Sequence, residues 1–345
     1  MSLLNITNLE VTFCRPRVPD IRAVKGLSFT VGAGETLGIV GESGSGKSVS
    51  SLAILGLLPS TARVAGDIRF AGQSMLGLKE RDLRKIRGQD IGMIFQDPMT
   101  SLNPYLRVGY QLSESLIVHK GLNKRRVKEI AIETMTRVGI ADASRRYVQY
   151  PHEFSGGMRQ RVMIAMALMT KPKLLIADEP TTALDVTTQR QILAMIRKIQ
   201  HEDGMSVIFI SHDLAVVSAI ADRCLVMYAG EMMEEGPLPG MLRSPKHPYA
   251  KALLAARPST SMITRSSRGR SSTQRLLAID GAPPSPQERI DGCPFAPRCD
   301  VAAEKCGAQK PNINPVSHRL TTDTSVEESD NVESSQGYVR CWNHA

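Results

Sequence analysis

One short segment of this 345-residue chain has the residue types of a loop that binds phosphate. Residues 41–48 read GESGSGKS, a complete GxxxxGK(S/T) pattern. In such a loop the glycines let backbone amides converge on phosphate oxygens, the lysine supplies a positive charge, and the last hydroxyl can ligate Mg²⁺. We therefore expect a nucleoside triphosphate with Mg²⁺ at this loop and the residue after it, namely Gly41, Glu42, Ser43, Gly44, Ser45, Gly46, Lys47, Ser48 and Val49.

The flanks of this loop match the context that the motif requires. The apolar stretch Thr36–Val40 predicts a strand that runs into the loop, and a helical pattern over Val49–Leu58 leaves it and stops at Pro59. This order places the phosphate at a helix N-terminus, where backbone N–H groups are free. The alternative, a chance glycine–serine loop, accounts for neither flank.

Two adjacent carboxylates end a second apolar stretch, residues 173–180, which read KLLIADEP. Neighbouring strand residues point to opposite faces, so the two acids need not share one role. We expect Asp178 to hold Mg²⁺ through its water shell and Glu179 to orient and polarise an attacking water. The alternative is that the acids only end a strand or cap the next helix, and the phosphate loop upstream favours the chemical role.

A third candidate is Ser155-Gly156-Gly157, which lies in the stretch FSGGMRQR before the apolar pattern VMIAMALM. A Ser-Gly-Gly step that opens a helix presents a second set of backbone amides to an anion. The alternative is an ordinary helix start, with Ser155 as its capping residue.

Regular elements must position these groups, and the sequence predicts an α/β fold. The short apolar runs Thr36–Val40, Leu174–Ala177 and Val207–Ile210 are typical of buried parallel strands. Between strands lie helical patterns such as Val186–Gln200, whose apolar residues recur at helical spacing. A more helical, polar insert covers about 103–151. Alternation of this kind favours a mostly parallel sheet.

Composition excludes several classes of protein. Apolar residues make up 42% of the chain and charged residues 22%, so neither wholesale disorder nor a collagen-like chain is expected. The longest apolar runs, Val162–Met169 and Leu52–Leu58, fall far short of the roughly 20 residues that span a bilayer. The N-terminus has no signal-peptide pattern, so we expect the chain to stay in the cytosol. A net charge of +9 permits a nucleic acid, an anionic membrane face or a phosphorylated ligand as a partner.

The composition changes after Pro258. Residues 259–277 are rich in Ser and Arg and predict a flexible linker, and residues 278–345 form a small segment rich in Pro and Cys that needs a staple in place of a core. Within it, Thr321–Gln336 carries five acids and no base, which predicts a disordered loop. In a reducing compartment, four clustered cysteines indicate zinc or iron–sulfur ligation equally well, and they are Cys293, Cys299, Cys306 and Cys341.

Taken together, these motifs resemble those of the nucleotide-binding subunits of ATP-binding cassette (ABC) transporters. In that family the Ser-Gly-Gly signature precedes the acidic strand by about 20 residues, as it does here. The resemblance extends to Gln96 in IFQDP (the Q-loop), to Ala183-Leu184-Asp185 (the D-loop) and to His212 in FISHD (the switch histidine). A lone histidine at a strand end is often structural, but this order of motifs favours the switch role.

The resemblance implies a P-loop NTPase fold over residues 1–258, with a parallel-sheet core, an antiparallel β subdomain and a helical subdomain at about 100–165. The chain departs from the family pattern at Phe154 and Met158, where Leu and Gln are usual. The family also stacks an aromatic residue on adenine. Phe13 is the nearest candidate, and it remains unassigned because the segment after it leaves a core position equally open.

The resemblance also implies how the site works. ATP would bind between the phosphate loop, Gln96 and Asp178 of one subunit and the Ser155–Gly157 signature of a second subunit, with Asp185 nearby. The expected catalytic residues are Glu179, which activates water, His212, which senses the γ-phosphate, and Gln96. The expected Mg²⁺ ligands are Ser48, Gln96 and Asp178.

A narrower resemblance covers the C-terminal part. Residues 244–258, SPKHPYAKALLAARP, and 292–299, GCPFAPRC, are similar to the extension of the ATPases of dipeptide, oligopeptide and nickel importers, and the cassette is similar to their D-type subunit. Some of these extensions hold a [4Fe–4S] cluster with four thiolates, which implies this cluster at Cys293, Cys299, Cys306 and Cys341. Zinc and unligated thiols are the alternatives.

The expected function is that of the ATP-hydrolysing subunit of an importer of dipeptides or oligopeptides, located at the cytoplasmic face of a bacterial inner membrane. The implied partners are a second ATPase subunit of the F-type, two transmembrane permease subunits and an extracytoplasmic substrate-binding protein. Nickel or another solute is the alternative cargo. A different class, the ABC ATPases that act on nucleic acid or ribosomes, is disfavoured by the single cassette, so no nucleic acid is expected.

Overall fold

The fold is given by a computed structural model that describes residues 2–97, 101–182, 184–256, 279–319 and 334–343. An antiparallel sheet has the strand order β2-β1-β4-β5. Its strands are β1 (Ser2–Phe13), β2 (Ile21–Gly32), β4 (Ala62–Phe70) and β5 (Gln73–Ser74).

A larger sheet has the order β11-β12-β10-β9-β3-β8-β7-β6. Five neighbouring strands run parallel, which are β9 (Arg223–Tyr228), β3 (Thr36–Val40), β8 (Ser206–Ser211), β7 (Leu174–Asp178) and β6 (Ile91–Ile94). The other three pair in antiparallel fashion, which are β10 (Glu231–Pro237), β11 (Asn314–Arg319) and β12 (Ser334–Val339). The predicted parallel core is therefore confirmed.

The helices of the described residues follow the strands as an α/β chain requires. They are α1 (Lys47–Ile54), α2 (Glu80–Ile86), α3 (Val108–Lys120), α4 (Lys124–Arg137), α5 (Ala143–Arg146), α6 (Gly156–Leu168), α7 (Val186–Asp203), α8 (Leu214–Ser218), α9 (Leu238–Arg243), α10 (Pro248–Ala255) and α11 (Glu304–Ala308). Short 3₁₀ turns lie at Pro151–Glu153 and Ala296–Arg298. No helix in the described ranges is long and apolar enough to cross a membrane.

The large sheet separates two apolar cores. Along β7, Leu175 and Ala177 face the core that contains the helical layer, whereas Leu174 and Ile176 face the core shared with the antiparallel sheet. This alternation makes every residue of β7 buried, as expected for a central parallel strand. Asp178 and Glu179 therefore lie at the end of a strand that is buried along its whole length.

The C-terminal segment, residues 279–343 as far as they are described, continues the large sheet. Strand β12 pairs with β10 through Glu234 opposite Val339, and β11 pairs with β12 along its full length. Phe295 is buried against the rings of Tyr228 and Tyr249, with centroids 5.4 and 5.2 Å away. Strand pairing and aromatic packing therefore stabilise this segment, whose described part has no large core of its own.

The structure describes little of two stretches for which the sequence predicts flexibility, the linker and the acidic stretch. The linker at 259–277 lies outside the described residues, as do residues 321–333 of the acidic stretch. Ser334 and Gln336, however, belong to β12, so the prediction of a disordered loop across Thr321–Gln336 was wrong at its C-terminal end. The pairing of β12 with both β10 and β11 orders this end, a long-range cause that local composition does not reveal.

Candidate functional site

The phosphate loop connects β3 to α1, as its sequence predicts. A side chain at Gly41 would collide with the carbonyl oxygen of Met227, and a Cβ at Gly46 would lie 2.7 Å from the carbonyl oxygen of Ala23. Gly46 also has φ +96°, a conformation that favours glycine. Both glycines are therefore needed for the loop to pass so closely over its neighbours.

Lys47 is buried at the start of α1 and turns back into its own loop. Its Nζ donates hydrogen bonds to the carbonyl oxygens of Gly41 (2.7 Å) and Glu42 (2.9 Å). Burial lowers the pKa of Lys47, and the negative charges of Glu179, Asp178 and Glu42 oppose that shift. The ammonium is thus a buried cation with only carbonyl oxygens and one hydroxyl as hydrogen-bond partners among the described residues, which suits it to an anionic ligand.

Asp178 ends β7 with a carboxylate that is nearly removed from solvent. Burial raises its pKa, and a hydrogen bond from the Ser48 hydroxyl acts in the opposite direction. Its Oδ1 atom has no hydrogen-bond partner among the described residues. A buried, unpaired carboxylate oxygen is costly unless a cation fills the place. Together with the Ser48 hydroxyl, it supplies the hard oxygen ligands that Mg²⁺ prefers, so the residues fit this ion.

Glu179 brings the three expected catalytic residues together. Its Oε2 atom lies 3.2 Å from Nδ1 of His212 and 3.4 Å from Nε2 of Gln96, and it accepts a hydrogen bond of 2.9 Å from the Thr182 hydroxyl. The backbone of Glu179 has φ +48°, which is strained for a residue with a side chain. The turn after β7 therefore holds this carboxylate in one place at an energetic cost.

The phosphate loop, Gln96 and Glu179 line a cavity of about 470 Å³, whose walls as described do not include Asp178 or His212. Its walls include Ser43–Val49 of the phosphate loop together with Gln96 and Glu179. Other residues of the wall are Phe13, Arg15, Ile21, Arg22, Ala23, Lys25, Ala229, Pro284, Ser285 and Pro286. The cavity has the size and the cationic lining that a nucleotide requires.

Part of this cavity wall was not predicted from the sequence. Phe13 was named without an assigned role, and the structure places Phe13 in the cavity beside the phosphate loop. No role was given to Pro284–Pro286, which reach the cavity from the C-terminal segment. The proline pair indicates an extended stretch, but nothing local indicates which surface that stretch covers.

The Ser155–Gly157 signature lies apart from this cavity, whose walls do not include it within the described structure. Ser155 is exposed and precedes α6 with an extended backbone, and its side chain makes no capping hydrogen bond within the described residues. Ser155 therefore occupies the N-cap position of α6, but without the side-chain hydrogen bond of a typical capping residue in the described structure. A Cβ added at Gly156 would meet open space, and Gly156 is exposed, as Ser155 is.

Asp185 also lies outside the wall of the cavity in the described structure, and it has a local task. Its carboxylate accepts hydrogen bonds from the backbone N–H (2.9 Å) and the hydroxyl (2.7 Å) of Thr188, which caps α7. These hydrogen bonds hold the pKa of Asp185 below its ordinary value. Ala183 of the same motif lies outside the described residues.

The four C-terminal cysteines line one small cavity, but they do not form a metal site. No group of three or more His, Cys, Asp or Glu side chains in the described ranges could hold a metal ion. The cavity volume is about 10 Å³, at the lower limit for a single water and far too small for a cluster. Burial raises the pKa of the Cys293 thiol to about 11.

The prediction of a [4Fe–4S] cluster at Cys293, Cys299, Cys306 and Cys341 is therefore wrong, and the zinc alternative fails for the same reason. Burial also raises the pKa values of the Cys299 and Cys341 thiols. Phe295 packs beside these thiols, so their clustering in the sequence reflects shared packing.

Comparisons with known proteins agree with this geometry. The family described as "ABC transporter" matches residues 24–182, and the family described as "Oligopeptide/dipeptide transporter, C-terminal region" matches residues 233–306. The chain is similar to the oligopeptide transport ATP-binding protein OppD of Salmonella typhimurium, with 50% identity over 90% of this chain and 89% of the relative.

The chain is also similar to a dipeptide transport protein and to a solved cassette structure. The dipeptide transport ATP-binding protein DppD of Escherichia coli is 46% identical over 91% of this chain and 93% of its own length. A solved dimeric structure of the ATP-binding cassette MJ0796, in a post-hydrolysis state bound to ADP and Pi, is 29% identical with a TM-score of 0.62. That match covers 69% of this chain and 99% of the cassette.

Proposed function

Because this chain belongs to the ABC transporter family, as an ATP-binding subunit of the oligopeptide and dipeptide importer type, we propose that it hydrolyses ATP to energise peptide uptake. The observation that carries the catalytic part is the meeting of Gln96 and His212 at the Glu179 carboxylate, beside the phosphate loop. The matched C-terminal family and the names of the relatives support peptides over nickel as the cargo.

The first task of the site is to hold the triphosphate. The amides of Gly41–Ser48 would donate to phosphate oxygens, and the Lys47 ammonium would exchange its carbonyl partners for the β- and γ-phosphates. The Ser48 hydroxyl and the Oδ1 of Asp178, which has no hydrogen-bond partner in the described part of the chain, would hold Mg²⁺ together with Gln96. The bound ion would neutralise charge that develops on the phosphates.

The second task is to prepare a water for attack. The Glu179 carboxylate would accept a proton from that water, while the Thr182 hydroxyl and the His212 ring keep the carboxylate in position. Gln96 would sense whether nucleotide occupies the site, because its side-chain amide already lies beside the Glu179 carboxylate. Positioning and charge compensation would then supply most of the rate enhancement.

The signature Ser155–Gly157 would serve a second subunit. It lies outside the cavity wall of its own chain as described, and Ser155 and Gly156 are exposed, which supports its closing the phosphate loop of a partner. The similarity to a dimeric cassette supports the same arrangement. We assign the partner to an F-type paralogue and place Asp185 near the shared interface, where it supports α7.

Membrane subunits would complete the importer. The described part of this chain has no helix that could cross a membrane, so two permease subunits would carry the peptide and an extracytoplasmic binding protein would deliver it. The chain would dock on them at the cytoplasmic face of the inner membrane, through Gln96 and the helical layer α3–α5. Exposed Tyr105 and Tyr110 belong to this part of the surface.

Transport in a rebuilt system tests this proposal. The chain, its paralogue and the permeases would be placed in vesicles with the binding protein, and ATP-dependent uptake of labelled peptides would be compared with uptake of nickel. We expect peptides to be taken up and to stimulate hydrolysis. Hydrolysis that responds to nickel but not to any peptide would contradict the cargo, and the absence of hydrolysis would contradict the function itself.

A further inference from the structure

An acidic residue occupies the second position of the phosphate loop, where a negative charge works against an anionic ligand. The carboxylate of Glu42 is not left free. Both of its oxygens accept hydrogen bonds from Nη1 of Arg298, at 3.1 and 2.9 Å. Arg298 belongs to the C-terminal segment, 256 residues further along the chain, and its side chain is only 6% exposed.

Arg298 is fixed before any ligand arrives. Its Nε donates to the carbonyl oxygen of Asp280 (2.9 Å) and its Nη2 to that of Ile279 (3.1 Å). Nη1 also donates to the Tyr228 hydroxyl at 3.0 Å, and the guanidinium lies over the Tyr228 ring. Most of the conformational entropy of this long side chain is therefore already lost, so it meets Glu42 as a rigid partner.

The backbone of Glu42 is held as well. Its N–H donates to the Tyr249 hydroxyl at 3.0 Å, and its carbonyl oxygen accepts from Lys47 at 2.9 Å. Lys47 therefore senses the charge of Glu42 at close range. Without Arg298, the bare carboxylate would attract the ammonium that the phosphates need and would repel the phosphates themselves.

We propose that Arg298 is a positioning residue of the nucleotide site, through which the C-terminal segment sets the affinity of the phosphate loop for nucleotide by compensating the charge of Glu42. The inference rests on the proposed ATP-binding function. It differs from a purely structural role because it predicts that the need for Arg298 disappears once Glu42 carries no charge.

The test compares Arg298→Gln, Glu42→Gln and the double variant in the full-length chain. The probe is the non-hydrolysable ATP analogue AMP-PNP with Mg²⁺, and the measurement is its Kd by equilibrium titration. We expect Arg298→Gln to raise Kd about tenfold, the size expected when a charge-assisted hydrogen bond is lost. Adding Glu42→Gln to it should restore most of the affinity.

Two further variants define the interaction. Arg298→Lys keeps the charge but not the fork of donors, so it should lose less affinity than Arg298→Gln. Arg289→Gln removes the same charge from an exposed position of the same segment and serves as the matched control. If Arg298→Gln does not fold, the double variant is compared with Glu42→Gln alone, and equal Kd values would support the proposal.

The proposal is overturned if Arg298→Gln folds and binds AMP-PNP as wild type does, or if the double variant binds no better than Arg298→Gln. A double variant far weaker than Glu42→Gln alone would overturn it too. If wild type itself does not bind AMP-PNP, the proposed function fails instead, so the two failures are distinguishable.

Discussion

The nucleotide pocket and the C-terminal segment meet at Glu42 but are built in opposite ways. In the pocket, polar groups are held ready for a ligand: one Asp178 oxygen has no hydrogen-bond partner among the described residues, and Glu179 lies in a strained turn. In the segment, by contrast, large side chains already contact the rest of the fold, above all those of Phe295 and Arg298. The pocket is thus prepared for a ligand, and the segment secures and tunes the pocket.

The first way to sharpen this contrast is to change the pocket without changing the fold. Glu179→Gln keeps the shape of the side chain but removes the proposed base, so hydrolysis by the assembled complex should fall by about 10²–10⁴-fold while ATP binding is retained. Phosphate release and nucleotide titration on one preparation measure both. Glu133→Gln, on the exposed face of α4, is the control, and hydrolysis at the wild-type rate in Glu179→Gln would remove Glu179 from the mechanism.

The second way is to loosen the segment. Phe295 is almost fully buried among aromatic rings, so Phe295→Ala should cost about 3–5 kcal/mol of local stability. Limited proteolysis should then cut residues 279–343 much faster than in wild type. Val301→Ala, at an exposed position of the segment, should leave the cutting rate unchanged. An equally resistant Phe295→Ala chain would mean that strand pairing alone anchors the segment.

A third change returns to the pocket and concerns binding. Lys47→Ala removes the cation that we propose binds the phosphates, so the Kd for ATP should rise about 10–100-fold, as expected for loss of a charge-assisted hydrogen bond in a buried site. Equilibrium titration measures this effect. Lys198→Ala removes an exposed lysine from α7 as the control, and an unchanged Kd in Lys47→Ala would show that the loop amides suffice.

The smallest expected effect is a pH dependence at the junction with the segment. Burial raises the pKa of Glu234 in β10 to about 7 from its ordinary 4.5. The Nε2 atom of His318 in β11 lies 3.7 Å from the Oε1 atom of Glu234. The folded chain then keeps a proton that the unfolded chain has lost, so stability falls as pH rises from about 4.5 to about 7.

Glu234→Gln tests this dependence, because the amide oxygen can still accept the N–H groups of Lys246 and His247 but cannot ionise. Its thermal midpoint should exceed that of wild type at pH 8 by about 2–4 °C, with a smaller difference at pH 4.5. Glu288→Gln, at an exposed position, is the control. A difference that does not change with pH would show that Glu234 does not titrate in this range.

The same contrast explains how far the sequence could be interpreted. The phosphate loop and the acidic strand were predictable because each depends on residues that are close in the chain, such as Gly41–Ser48 and Leu174–Asp178, and the parallel core followed from the alternation of local strand and helix patterns. The contact of Arg298 with Glu42 was not predictable, since it joins positions 256 residues apart. The cysteines misled because their spacing is compatible with packing and with ligation, and only the three-dimensional arrangement separates the two.

The antiparallel pair of β11 and β12 has a further consequence for how the chain meets other molecules. It covers the side of β10 that would otherwise be an open sheet edge, with unpaired N–H and C=O groups available to another molecule. Its own outer strand, β11, carries Pro315, which has no N–H to donate and makes a poor template for strand addition. A chain cut back to the ATPase core would therefore expose backbone N–H and C=O groups of β10 that could pair with a strand of another molecule.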